Sequence, residues 1–121
     1  MSFREHLEEV CQGVDGAVAC SLMGMDGIEV MTHVAAAEGP DFDLRSLLVE
    51  YSSIMRGLRE VADAHRAGAL SEMSVSTDRL VTVARLVSPD YFMVLALLPE
   101  GNYGKARYLL RIAAPKVKAE L

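Results

Sequence analysis

Cysteine is scarce in this sequence. Its two cysteines, Cys11 and Cys20, are spaced as in no metal-binding or redox motif, and both lie in apolar patterns, so we expect buried free thiols rather than a disulfide. Basic side chains are also few, since 12 Lys and Arg against 17 Asp and Glu leave a net charge of −5. A general nucleic-acid surface needs a basic face, so this balance argues against a nucleic-acid partner.

Long apolar runs are missing as well, and the longest falls far short of the ~20 residues that cross a bilayer. The first residues, Met1 to Glu5, lack the apolar centre of a signal peptide. We therefore predict no membrane insertion and a cytoplasmic location. With 121 residues, of which 51% are hydrophobic, the chain can form one domain with its own core.

Motifs for catalysis or cofactor binding are missing too. His6, His33 and His65 are scattered along the chain and have no Cys pair near them, which argues against a metal site. The stretch Gly101 to Ala106 resembles a phosphate-binding loop, but its glycines are too close together and Ala106 offers no magnesium ligand. It is better interpreted as the start of a helix. The sequence therefore predicts no catalytic residue, no metal and no cofactor.

The chain is organised around a long helix from Leu44 to Arg66. Its apolar residues recur at three- and four-residue steps, the period of one helix face, for about six turns. Asp41 or Asp43 can cap its start, and Gly68 follows its end, where a left-handed residue is favoured. The residues expected on its buried face are Leu44, Leu47, Leu48, Tyr51, Ile54, Met55, Leu58, Val61, Ala62 and His65.

The remaining patterns predict two terminal helices and five strands. Short connections between strands indicate antiparallel neighbours, and two strands that are apolar on both sides require helices on both faces of the sheet. We predict an α+β fold, a three-layer α/β/α sandwich whose five-stranded antiparallel sheet has the long helix on one face and the two terminal helices on the other. The expected elements are a helix from Phe3 ending near Gly13 or Gly16, strands Ala17–Gly24, Ile28–Val34, Leu70–Thr77, Leu80–Val87 and Tyr91–Leu98, a loop Ala35–Phe42, and a last helix after Asn102 that Pro115 should bend or break.

A second strip on the long helix has a different character and comprises Val49, Ser53, Arg56, Gly57 and Glu60. Glycine within a helix costs about 1 kcal/mol relative to alanine, so Gly57 calls for a packing reason. Ser53 and Gly57 are small enough for another backbone to approach closely. The strip is either an ordinary solvated face or the contact for a second packing partner, and we favour the partner.

Two further surfaces are candidates for contact with other proteins. One strand alternates polar and apolar residues, which is more typical of a sheet edge than of its middle. A hairpin tip groups apolar side chains with a carboxylate; single exposed apolar residues are normal there, but a group can anchor a partner. The residues are Glu72, Ser74 and Ser76 in the strand, and Met25, Asp26 and Ile28 at the hairpin.

The chain resembles the Roadblock/dynein light-chain family over nearly its whole length. The resemblance is carried by the order of the elements, the Met25-Asp26-Gly27 turn, the long central helix, and Asn102-Tyr103-Gly104-Lys105-Ala106-Arg107 at the start of the last helix. Within the family it is similar to the bacterial MglB-like branch, which includes the paralogue MglC. The resemblance implies a profilin-like fold and a single Roadblock-type domain over residues 1–121.

The same resemblance implies a function as a regulator of Ras-like small GTPases. Family members pair through the long helix and the neighbouring edge strand, and MglB-like dimers activate GTPases without inserting an arginine finger. We expect a non-catalytic homodimeric adaptor that binds an MglB-like Roadblock protein or a Ras-like GTPase in cell polarity or motility; alternatives are a GTPase activator and a small-molecule sensor. The expected dimer contacts are Val49, Ser53, Arg56, Gly57, Glu60, Glu72, Ser74 and Ser76, and the partner contacts are Met25, Asp26 and Ile28.

Overall fold

The computed structural model describes residues 1–35 and 43–121. The described residues form three helices and five strands in the predicted order. The elements are α1 (Phe3–Gln12), β1 (Ala17–Gly24), β2 (Glu29–Val34), α2 (Leu44–Ala64), β3 (Glu72–Ser76), β4 (Val81–Ser88), β5 (Tyr91–Leu97) and α3 (Tyr103–Ala119). Most of the expected loop Ala35–Phe42, and the alternative cap Asp41, lie outside the described residues.

The strands form one antiparallel sheet in the order β2-β1-β5-β4-β3. The two strands predicted to be apolar on both sides, β1 and β5, are neighbours near the centre, and β4 lies beside them. Their side chains are almost all buried. Burial on both faces demands a helical layer above and below the sheet, and the predicted fold class is confirmed.

The helices divide unequally between the two faces of the sheet. Helices α1 and α3 share one face with Leu7, Leu22, Met93, Leu95 and Leu110. Among the described residues, α2 is the single helix on the other face, and its core includes Met23, Leu48, Met55, Phe92 and Val94. The single helix therefore has the larger area of sheet to cover.

Each helix begins at a side chain that accepts a hydrogen bond from a free backbone N–H. Ser2 and Glu5 form a capping box at α1. The Asp43 carboxylate accepts from the Ser46 backbone N–H at 3.2 Å and from the Ser46 hydroxyl at 2.7 Å, and these hydrogen bonds lower the pKa of Asp43. Asn102 caps α3, so the stretch that resembles a phosphate loop is a helix start, as predicted.

Helix α2 ends two residues earlier than predicted, in a Schellman motif. The Ala67 backbone N–H donates to the Ala62 carbonyl at 2.8 Å, and the Arg66 N–H donates to the Asp63 carbonyl at 3.3 Å. The left-handed position of the motif is filled by Arg66, with φ of 55°, and Gly68 is left-handed as well, with φ of 95°. The motif thus places a residue with a Cβ where glycine is favoured.

The sequence suggested that Pro115 bends or breaks the last helix, and a break is wrong, because α3 continues through it to Ala119. Pro115 is exposed on the solvent side of the helix. Its ring lies outside the packed core, and the Arg111 carbonyl that loses a donor lies on the same side. Water can satisfy that carbonyl, which reduces the cost of an interior proline.

Strand β2 packs the side that carries Met31 and His33 against α1, and leaves the side that carries Val30 and Val34 uncovered. Met31 and His33 are half-buried, and the His33 ring lies 4.0 Å from the Glu8 carboxylate of α1. Val30 and Val34, on the α2 side, are exposed. Among the described residues, no helix is both long and apolar enough to cross a membrane.

We expect Arg66→Gly to raise the free energy of unfolding by about 1 kcal/mol, because glycine adopts a left-handed conformation without the Cβ clash. Arg66→Ala is the matched control, since it removes the same long side chain but keeps the Cβ. Urea denaturation at one protein concentration measures both. Equal stability of the two variants would contradict the assignment of strain to this position.

The Asp43 cap predicts a pH dependence of stability. Its pKa is lowered in the folded state, so the charged cap stabilises the fold above the unfolded pKa and this contribution disappears as pH falls through the folded pKa. Asp43→Asn keeps an acceptor that does not titrate. The stability difference between wild type and Asp43→Asn should shrink from about pH 6 to about pH 2.5, as followed by chemical denaturation at each pH; a constant difference would rule out the charged cap.

Candidate interaction surfaces

The outer side of α2 carries an exposed apolar stripe formed by Ile54, Leu58 and Val61, which we call the α2 stripe. These residues are 50%, 41% and 57% exposed, so the expectation that they lie on the buried face is wrong. Helical spacing places them on the same flank as Leu47. Leu47 borders a depression at Thr77 to Leu80, beside the turn between β3 and β4. The α2 stripe therefore lies on the side of the helix nearest to β3.

The predicted small-residue strip is adjacent to the α2 stripe on the helix surface. Val49, Ser53, Gly57 and Glu60 are exposed, and Arg56 is half-buried. A Cβ added to Gly57 would meet nothing within 4 Å. The glycine therefore has no packing reason within the described chain, and the packing partner that the sequence suggested would have to come from outside it.

Strand β3 forms one edge of the sheet and has no strand partner on its outer side among the described residues. Its predicted contact residues face α3. The Tyr103 hydroxyl donates to Ser74 at 2.9 Å, and the Glu72 carboxylate accepts from Arg107 at 2.7 Å. The side chain of Ser76 is exposed. The backbone of β3, rather than its polar side chains, is what this edge offers to another strand.

The hairpin between β1 and β2 turns at Gly27, with φ of 90°, as the Asp-Gly pair predicts. The expected exposure of Met25 is wrong, because its side chain is 4% exposed and packs in the core beneath α2. Asp26 is exposed and accepts a hydrogen bond from the backbone N–H of Ile28 at 3.0 Å. Ile28 itself is 67% exposed. The tip therefore presents one carboxylate and one aliphatic side chain to solvent.

Two arginines of α2 bind the hairpin region to the helix. The Arg56 guanidinium donates to the Met25 carbonyl, and that of Arg59 donates to the Pro89 carbonyl at 2.6 Å. The Met25 backbone N–H donates to the Asp90 carbonyl at 2.8 Å. These hydrogen bonds hold two loops against α2 within the chain.

The remaining candidates for chemistry are separated in space or buried. His6 is buried and His65 is exposed at the end of α2, and the described residues contain no group of three side chains able to hold a metal ion. Cys11 and Cys20 are buried free thiols, as predicted. A hydrogen bond with Cys11, together with burial, raises the pKa of Cys20 well above its ordinary value, which keeps that thiol protonated.

Two surfaces seen in the structure were not predicted from the sequence. One is the α2 stripe, which has the same periodicity as the buried face and cannot be told from it by spacing. The other is a group of arginines on β4 and α3, at Arg85, Arg107 and Arg111. A signal for the second was present, since α3 contains several basic residues and no acidic one in a chain that is acidic as a whole.

Several solved protein structures are similar to this chain. The chain is 53% identical to MglC from Myxococcus xanthus over 100% of both chains, with a TM-score of 0.71. It is 18% identical to an MglB with tetrameric arrangement over 95% of this chain and 84% of that one, with a TM-score of 0.84. A Roadblock/LC7 domain from Streptomyces avermitilis is 12% identical over 99% and 98%, with a TM-score of 0.75. Family models and curated sequences give no match.

Proposed function

The chain belongs to the Roadblock/LC7 family as an MglC-like member, and from this premise we propose that it is a non-catalytic homodimeric adaptor. As such it binds an MglB-like Roadblock protein and through it modulates a Ras-like small GTPase that controls cell polarity or motility. In this proposal residues 1–121 act as a single Roadblock-type domain in the cytoplasm, without a cofactor.

The observation that carries the proposal is the position of the α2 stripe beside the open edge of β3. Three neighbouring aliphatic side chains exposed on one helix form an apolar surface of the kind that marks protein–protein contact. An unpaired strand edge next to it offers backbone donors and acceptors to a second strand. A second copy of the chain, related by a two-fold axis perpendicular to the sheet at this edge, pairs β3 antiparallel with its own copy and brings the two α2 helices together on the same face.

The dimer contact that we propose therefore includes both strips of α2 and the edge of β3. Gly57 and Ser53 allow close approach of the partner helix, while Ile54, Leu58 and Val61 supply the buried apolar area. The other predicted contacts are Val49, Arg56 and Glu60 on α2 and Glu72, Ser74 and Ser76 on β3. Because Glu72 and Ser74 are bonded to α3, we expect β3 to take part through its backbone rather than through these side chains. A structure of MglB with tetrameric arrangement shows that a protein of this fold can form oligomers, which supports the proposal of an oligomer here.

The heterotypic contact is proposed at the hairpin tip. Asp26 and Ile28 are exposed there and are held by the turn, so they can contact an MglB-like partner directly. Met25 contributes from beneath, because its buried side chain supports the conformation of the tip. This surface is separate from the α2 stripe, which allows a homodimer to bind a second Roadblock protein.

We expect Leu58→Glu to convert the dimer to a monomer, because a charge at the centre of an apolar contact loses its hydration without a partner. Sedimentation velocity over a range of concentrations measures the change. Gly57→Arg, which adds bulk as well as charge, should act in the same direction, whereas Gly57→Ala should leave the dimer intact.

Ile112→Glu is the matched control for the dimer experiment. Ile112 is 42% exposed and belongs to α3, on the opposite face of the sheet from α2. A folded, dimeric Leu58→Glu protein, or equal dissociation by Ile112→Glu, would contradict pairing through the α2 stripe. Circular dichroism on each variant separates dissociation from unfolding.

The regulatory role predicts a specific pattern in single-turnover GTP hydrolysis by a Ras-like GTPase. The chain alone should not accelerate hydrolysis, since it offers no catalytic group. Together with an MglB-like protein it should change the rate that the MglB-like protein produces, and the double variant Asp26→Ala/Ile28→Ala should abolish that change.

Ile112→Ala serves as the control for the hydrolysis assay, because it truncates an exposed aliphatic residue away from the hairpin. It should behave as wild type. Acceleration by the chain alone would instead support the alternative function of a GTPase activator. An unchanged rate in every mixture, with no co-purification of the two Roadblock proteins, would refute the adaptor role.

A further inference from the structure

Basic charge is concentrated in helix α3. The helix contains Lys105, Arg107, Arg111, Lys116 and Lys118, and no acidic residue, although the chain as a whole has a net charge of −5. Cations at a helix C-terminus interact favourably with the helix dipole, which accounts for Lys116 and Lys118. It does not account for Arg107 and Arg111, which lie beyond the first turn and before the last turn, where the dipole has little effect.

Those arginines line a shallow basin between α3 and the β3–β4 edge of the sheet. The basin has a volume of about 190 Å³ and is bordered by Arg85, Arg107, Arg111, Tyr108, Gly104 and Glu72. The Glu72 carboxylate lies at its inner side, 2.7 Å from Arg107 and 3.9 Å from Arg85. The hydrogen bond with Glu72 raises the pKa of Arg107.

One carboxylate does not balance three guanidinium groups. Arg111 has no acidic side chain within 4 Å among residues 1–35 and 43–121, and instead lies over the Tyr108 ring at 5.9 Å. The basin therefore retains an excess of positive charge. Arginine presents several N–H donors in a planar fork that suits carboxylates, and Glu72 shows how the basin holds one.

We propose that this arginine basin binds a carboxylate-rich segment of a partner protein. A partner segment fits better than a free anion because the basin is open and is flanked by exposed tyrosines, Tyr103 and Tyr108. Arginine and tyrosine are the side chains that most often contribute strongly to protein–protein binding. Acidic side chains of the segment pair with Arg107 and Arg111, and its backbone and apolar groups contact the Tyr108 ring.

The arginine basin lies on the α3 face of the sheet, opposite the α2 stripe. Its occupation goes beyond the adaptor function and does not require the proposed homodimer or the hairpin contact. A chain that uses both faces could hold an acidic partner on one face while its Roadblock contacts remain on the other. The test below can therefore fail while the adaptor function stands, and the reverse also holds.

The test uses the full chain and a short fluorescein-labelled peptide of Glu, Ala and Leu, with a peptide of the same length carrying Gln in place of Glu. Fluorescence anisotropy should show binding of the Glu peptide that weakens with added salt, and no binding of the Gln peptide. Arg111→Gln breaks no ion pair among the described residues and should weaken binding about fivefold or more. Arg107→Gln/Arg111→Gln should abolish it.

Lys105→Gln/Lys116→Gln is the matched control, because it removes two charges from the other flank of the same helix. It should bind the Glu peptide within about twofold of wild type. Equal loss in this control would mean general attraction to a basic helix and would overturn the proposal. Absence of binding by wild type at low salt, or displacement of the peptide by millimolar inorganic phosphate, which would indicate a small-anion site, would also overturn it. Sedimentation of each variant shows whether any loss merely reflects a change of oligomer.

Discussion

The structure depends on a mismatch of width between the sheet and the helix that covers it. Five strands spaced at about 4.8 Å make a sheet roughly 20 Å across, while one helix with its side chains is about 10 Å wide. On the α1 and α3 face two helices match that width. On the other face α2 is the single helix of the described residues, lying above Met23 and Phe92, and the apolar residues at its flanks stay uncovered. The α2 stripe on one side and the apolar side of β2 on the other are consequences of this geometry.

The parts of the fold that could be predicted from the sequence are those that depend on local signals. Strands β1 and β5 are apolar on both sides, and this pattern alone requires helices on both faces. Helix caps such as Ser2 and Asn102 could be predicted because each side chain accepts a hydrogen bond from a backbone N–H only three residues along the chain. The order of elements and most boundaries follow from signals of this local kind.

The predictions that failed involve contacts between elements distant in sequence. Periodicity assigns Ile54, Leu58 and Val61 to the same face as Met55, but whether that face is covered depends on the width of the sheet beneath it. Met25 looks like an exposed hairpin residue, yet the tip folds under α2 and buries its side chain. Pro115 looks like a helix breaker, and its exposed side makes it tolerable. Arg85 and Arg107 come together only because β4 lies beneath α3.

The hydrogen bonds of Arg56 and Arg59 have a consequence for how the molecule meets other proteins. They attach two separate turns, at Met25 and Pro89, to the helix that carries the α2 stripe. The hairpin is thus held in one conformation before binding, so a partner protein loses little affinity to the entropy cost of ordering it. Rigidity of this kind favours rapid association, because the surface needs no conformational change on binding.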